Sequence, residues 1–143
     1  MQMVVARAHA AARHAAVAWS IDPEDITVID GDTIRVYHPP NVRLVGFNAP
    51  ESWNALCEAE RQLGVRAAQR LLELVRAGHL DFEYVECSCP AGKQGTRFCN
   101  YGRDCGTLKS NGRDVGAILI QEGLAVPFVC GPTRCPRTPR PWC

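Results

Sequence analysis

Eight cysteines in 143 residues restrict this chain more than any other feature of its sequence. At that density, disulfides or a metal must hold many of the thiols, and either choice decides which segments meet. Cys87, Cys89, Cys99 and Cys105 surround one short stretch, Cys130, Cys135 and Cys143 bracket a proline-rich tail, and Cys57 stands apart. A structural zinc site asks for paired C-x₂₋₄-C knuckles, and that spacing is missing. Disulfides therefore fit better than structural Zn²⁺ at the Cys87 to Cys105 cluster, and a redox function fits least. The pairing itself stays open. Disulfides imply an oxidising compartment, so a secreted or periplasmic location is expected.

The length suits one domain, and sixteen basic against fifteen acidic residues leave a net charge of +1, which announces no nucleic-acid binder. Charge is unevenly spread, however. No Asp or Glu follows Glu122, whereas Arg134, Arg137 and Arg140 do, in a proline-rich tail that favours extended backbone over helix. No apolar run is long enough for a membrane helix, so no membrane is expected, and a monomer is expected in solution. Residues 1–20, "MQMVVARAHAAARHAAVAWS", are alanine-rich but interrupted by Arg7, His9, Arg13 and His14. They read as a helical or disordered extension, with a degenerate export signal as the alternative.

Along the chain, "DITVIDGDTIRVY" is two strands about the turn at Asp30-Gly31-Asp32, and "NVRLVGF" is a third after Pro39-Pro40. Cys57 to Arg76 carries Leu63, Ala67, Leu71 and Val75 at helical spacing, with Gly78 placed to end the helix. "HLDFEYVEC" alternates as a strand, a Cys/Gly-rich hairpin insertion follows, and "YGRDCGTLK" is a last strand. Asp114 is placed to cap a second helix, "VGAILIQE", that stops at Gly123. Three strands, helix, two strands, helix predict an α+β fold that is mainly β: a five-stranded OB-fold barrel with a helix between strands 3 and 4 and a C-terminal helix. A small α+β sheet has the same order. The expected boundaries are an extension over 1–24, a domain over 25–128 with the insertion at 86–100, and a tail over 129–143.

Within the domain, "VIDGDTIRV", "VRLVGFNAPES", the helix beginning near "CEAER", "YGR" and "GRDVGAILIQEGLA" together resemble the staphylococcal nuclease (thermonuclease) family in order and spacing, over about Asp25 to Phe128. The resemblance implies Ca²⁺-dependent hydrolysis of DNA or RNA. It puts Asp32 at the metal-binding aspartate, Arg43 and Arg103 at the phosphate-binding arginines, Glu51 at the catalytic glutamate and Tyr101 beside the nucleotide. Asn48 falls where the family has a second aspartate ligand, and Ala49 where a threonine turns its backbone carbonyl to the metal.

The residue types suit that chemistry. A phosphodiester gains charge on its non-bridging oxygens as water attacks, and an arginine fork holds two of them at once. A hard cation polarises the phosphoryl group, and Glu51 as general base is worth roughly 10²- to 10⁴-fold. Asparagine keeps a ligating oxygen but loses a charge, so calcium affinity should fall and Mn²⁺ becomes an alternative.

Plainer roles stand beside each residue. Asp32 can simply close its turn, Arg43 can pair with Glu51, Arg103 can be a solvated loop residue, and Glu51 can serve the start of the helix. The four histidines, His9, His14, His38 and His79, receive no chemistry. The competing function is a catalytically weak or inactive module that binds single-stranded nucleic acid.

Overall fold

The computed structural model describes residues 18–143, so the reading of residues 1–17 lies outside the described residues. Alternating apolar positions build strands that pair into one sheet. β1 (Ala18–Ile21), β2 (Ile26–Asp30), β3 (Thr33–Val36) and β4 (Val42–Leu44) precede the 19-residue helix α1 (Glu58–Arg76). β6 (Leu80–Val85), β7 (Asp104–Ser110), β8 (Arg113–Asp114) and α2 (Val115–Gln121) follow. Two short strands, β5 (Gly46–Asn48) and β9 (Val126–Phe128), form a separate antiparallel pair.

The main sheet runs β1-β6-β7-β4-β3-β2, with β8 added to β7, and only β4 and β7 pair in parallel. Its first and last strands in this order, β1 and β2, are neighbours in sequence, joined by the single 3-10 turn Pro23–Asp25. A flat arrangement would part them by about 24 Å at the usual strand spacing. The five residue steps from Ile21 to Ile26 reach at most about 18 Å. The sheet therefore curls into part of a barrel.

The interior of the curl is apolar. Ile34, Val42, Leu44, Leu80, Phe82 and Leu108 are buried from the strands, and Ala67, Leu71 and Val75 from α1. The helix presents the face its spacing predicts, except that Leu63 is only partly buried while Gly64 and Leu74 join the buried side. Cys57 caps α1, its Sγ accepting the Glu60 N–H, and the helix closes at Ala77, one residue before the expected Gly78. α2 is capped as its sequence suggests, the Asp114 carboxylate accepting the Ala117 N–H, and the chain leaves it through Gly123 at φ 76°.

Three expectations change. Ala18–Ile21, read as part of the extension, is an edge strand held against β6. "NVRLVGF" is two strands, because Gly46 at φ 97° turns the chain out of the main sheet and sends β5 to pair with β9. With β1 at one edge and β8 added to β7, the main sheet has seven strands. Between Val85 and Asp104 there is no strand hairpin: the insertion is a run of turns ending in the 3-10 turn Asn100–Gly102.

All eight cysteines pair, as Cys57–Cys143, Cys87–Cys105, Cys89–Cys99 and Cys130–Cys135. No thiolate is left to ligate zinc, and the chain belongs in an oxidising environment. None of the described helices is long and apolar enough to cross a membrane.

Candidate active site

The β2–β3 turn lifts Asp32 out of the sheet edge into a largely buried position. Its Oδ1 accepts the Thr33 hydroxyl at 2.9 Å and its Oδ2 accepts the Ala49 N–H at 2.9 Å. One carboxylate thus serves its own turn and ties down the backbone of Ala49, 17 positions along the chain. β4 aims Arg43 at the same point. Its Nη2 lies 3.3 Å from Asp32 Oδ2 and donates to Asn48 Oδ1 at 2.9 Å, while Nη1 donates to the carbonyls of Leu44 and Phe47. The anionic partner of Arg43 is therefore Asp32, and the alternative ion pair with Glu51 does not form.

Asn48 stands at the end of β5. Its oxygen faces Arg43, and its Nδ2 donates to the carbonyl of Pro139 in the tail at 2.9 Å. Ala49 is buried and gives its N–H to Asp32, and it does not line the cleft. Packing explains why the segment can lie so deep. A Cβ on Gly31 would come within 2.8 Å of the Cβ atoms of both Ala49 and Ala67, so a side chain at position 31 would push Ala49 away.

Glu51 is positioned by its backbone. Its N–H donates to Glu60 Oε2 at 3.0 Å, and its peptide rests directly on α1 at Gly64, where a Cβ would lie 2.5 Å from the Glu51 carbonyl carbon. A mid-helix glycine costs about 1 kcal/mol, which this close approach explains. Burial, reinforced by Asp32, raises the Glu51 carboxyl above the usual carboxylate range, against the opposing pull of Arg140 and Arg43. Asp30 is pushed higher still, to about 7, by burial first and then by Asp32 and Glu51, although it accepts the Gly31 N–H and the Ser52 hydroxyl.

Arg103 comes from the end of the inserted segment, immediately before β7, the strand that pairs with β4. Asn100 holds it, accepting from Nη2 at 2.6 Å on its side-chain oxygen and from Nε at 3.1 Å on its backbone carbonyl. Burial and the like charge of Arg43 lower its pKa, opposed by Asp32 and Glu51, so both arginines and both carboxylates share one field. Tyr101 is 86% exposed with Arg103 over its ring at 5.7 Å. Asn100, Tyr101 and Gly102 take φ values of 55°, 59° and 81° in succession. Such left-handed backbone suits asparagine and glycine but is uncommon for tyrosine, and it presents the ring to solvent.

Asp32, Arg43, Asn48, Glu51, Tyr101 and Arg103 all line one cleft of about 740 Å³. The tail forms another wall of it through Val129, Cys130, Cys135, Thr138 and Arg140. Three contributors escaped the sequence reading: Asn100, Glu60 and Arg140. Glu60 stands three positions after the N-cap, where a glutamate can reach back to backbone N–H groups before the helix, whereas nothing local marked the other two.

Asp32 Oδ2 and Asn48 Oδ1 converge on one nitrogen of Arg43, so the guanidinium occupies the place between these two oxygens. Among the described residues no group of three or more His, Cys, Asp or Glu is arranged as a metal cage. Most ligands of an ion here would have to come from backbone, substrate and water. No protein-family model matches the chain, and no curated protein matches it significantly.

Proposed function

We propose that the chain is a thermonuclease-like phosphodiesterase that hydrolyses DNA or RNA, built on an OB-type barrel formed by β2, β3, β4, β7 and β6. What supports this is the gathering of Asp32, Arg43, Asn48, Glu51, Tyr101 and Arg103, drawn from separate segments of the chain, around one cleft. Arg43 and Arg103, from neighbouring segments of the sheet, hold the non-bridging oxygens of the phosphodiester. Each guanidinium is fixed by carbonyl or amide oxygens, so it meets developing charge with little reorganisation.

Glu51 takes the proton of the attacking water. Its burial-raised pKa brings it nearer to neutrality, where a general base is most effective. Tyr101 offers its exposed ring to a base of the substrate. Asp32 and Asn48 would hold Ca²⁺, or Mn²⁺, and the remaining oxygens would come from backbone, substrate and water. When bound, the ion supplies phosphoryl polarisation and a more acidic water. Four disulfides suit secreted or periplasmic action on nucleic acid.

The test is cleavage of single-stranded DNA with and without Ca²⁺ by the wild type and by Glu51→Gln. Loss of roughly 10²- to 10⁴-fold in the variant is expected. Equal cleavage by both proteins removes Glu51 from the mechanism. Tight binding of the strand without cleavage, up to millimolar Ca²⁺, would make the protein a binding module instead.

A further inference from the structure

Glu60 is fully buried on the first turn of α1, and it carries a concentrated set of bonds. Oε2 accepts the Glu51 N–H at 3.0 Å and Oε1 accepts the Leu56 N–H at 2.9 Å, so the carboxylate clasps both ends of the loop bearing Glu51. A buried carboxylate needs a cation. Arg140 of the tail supplies it, Nη2 lying 2.9 Å from Oε2 and 3.0 Å from Oε1, and the same nitrogen donates to the Asn54 carbonyl within that loop at 3.0 Å.

Burial alone would raise the Glu60 carboxyl, but the Leu56 and Glu51 N–H groups and Arg140 together hold it below its ordinary value. The Arg140 segment is itself fixed on both sides. Pro139 accepts from Asn48 Nδ2, and Cys143 is bonded to Cys57 three residues before Glu60.

We propose that the tail is part of the catalytic apparatus: Arg140 is a positioning residue that, through Glu60, sets the backbone of Glu51. The inference rests on Glu51 being the general base of the proposed hydrolysis. It also gives Asn48 a second task. Its amide nitrogen donates to Pro139, where an aspartate at the same place would set a carboxylate against a carbonyl oxygen. The tail lining the cleft is thus clamped at Asn48, beside Arg43, and at Glu60, beneath the Glu51 loop.

The experiment compares Arg140→Ala and Arg140→Lys with the wild type in three measurements. These are steady-state cleavage of single-stranded DNA, affinity for the same strand in a Glu51→Gln background, and amide hydrogen exchange at Glu51 and Leu56. Arg140→Ala should lower kcat roughly 10- to 100-fold, as misplacement of a reacting group does. Strand affinity should stay unchanged, and the Glu51 and Leu56 amides should lose protection while amides in the middle of α1 keep theirs. Arg140→Lys should recover part of both, since it restores the charge but not the fork.

An unchanged kcat, or unchanged protection of the two amides, overturns the proposal. A parallel loss of strand affinity overturns it by making Arg140 a substrate contact, and a rise in kcat overturns it by making the tail an obstructing strap. If the wild type and Glu51→Gln cleave equally, the hydrolytic reading itself fails, and that result is read from proteins in which Arg140 is intact.

Discussion

The two walls of the cleft are held by different physics. One wall, carrying Asp32, Arg43 and Asn48, belongs to strands and their turns, and its side chains are fixed by backbone groups and by the apolar core behind them. The other, carrying Tyr101, Arg103 and the tail, has no strand or helix in residues 86–99 or 129–143 and is held by four disulfides. Segments that bury too little apolar surface to order themselves can still line a site if covalent bonds remove their freedom beforehand. Here the strand wall supplies the oxygens of Asp32 and Asn48 and one arginine, and the stapled wall supplies the second arginine and the exposed ring.

That contrast breaks most visibly at Cys57–Cys143, whose partners are 86 residues apart. Replacing both by serine should cost up to about 4.6 kcal/mol by the loop-entropy relation. Serine is itself a good N-cap, so α1 should keep its start. Urea unfolding and circular dichroism would check both parts. A loss of helix comparable to the loss of stability would show that the bridge serves α1 instead of the tail.

The strand wall should be the pH-sensitive one, because its carboxylates are buried together. Asp30 has its pKa raised from 3.8 to about 7, so between those values the native state holds a proton that the unfolded chain has released. Stability should therefore fall as pH rises through that window, and the penalty is complete above about 7. It is on the order of a few kcal/mol. Asp30→Asn should flatten the slope in a buffer containing chelator. A slope equal to that of the wild type would mean that the burial of Asp30 does not govern it.

A smaller effect, about 1–3 kcal/mol, is expected from Gly64→Ala, since overpacking forces either the helix or the Glu51 loop to shift. Cleavage should fall by more than this stability loss explains. If stability and cleavage both hold, the loop and helix are not in the contact described.

Much of the strand wall was legible in the sequence. The Asp30-Gly31-Asp32 turn, the alternation around Arg43 and the capped helix at Asp114 are local patterns, and local patterns are written in neighbouring residues. The departure of β5 from the main sheet was not, although Gly46 was visible, because a glycine permits a turn without demanding one. The strand at Ala18–Ile21 was missed for a similar reason. Its partner, β6, lies some sixty positions along the chain, and Trp19 packs on the Phe82 and Tyr84 that this pairing brings alongside.

By itself the sequence determined the two helices, the strands flanking the Asp30-Gly31-Asp32 turn and the strand at Leu80–Val85, and its cysteine spacing favoured bridges over zinc. Only the tertiary structure decided which cysteines meet. It also decided that Asp32 and not Glu51 faces Arg43, that the amide of Asn48 reaches the tail, and that Arg140 closes a buried carboxylate under the Glu51 loop. The reason is one of range. Propensity and periodicity act over a few residues, whereas a buried charge or a hydrogen bond is satisfied by whichever partner the fold brings within reach, here up to 91 positions away.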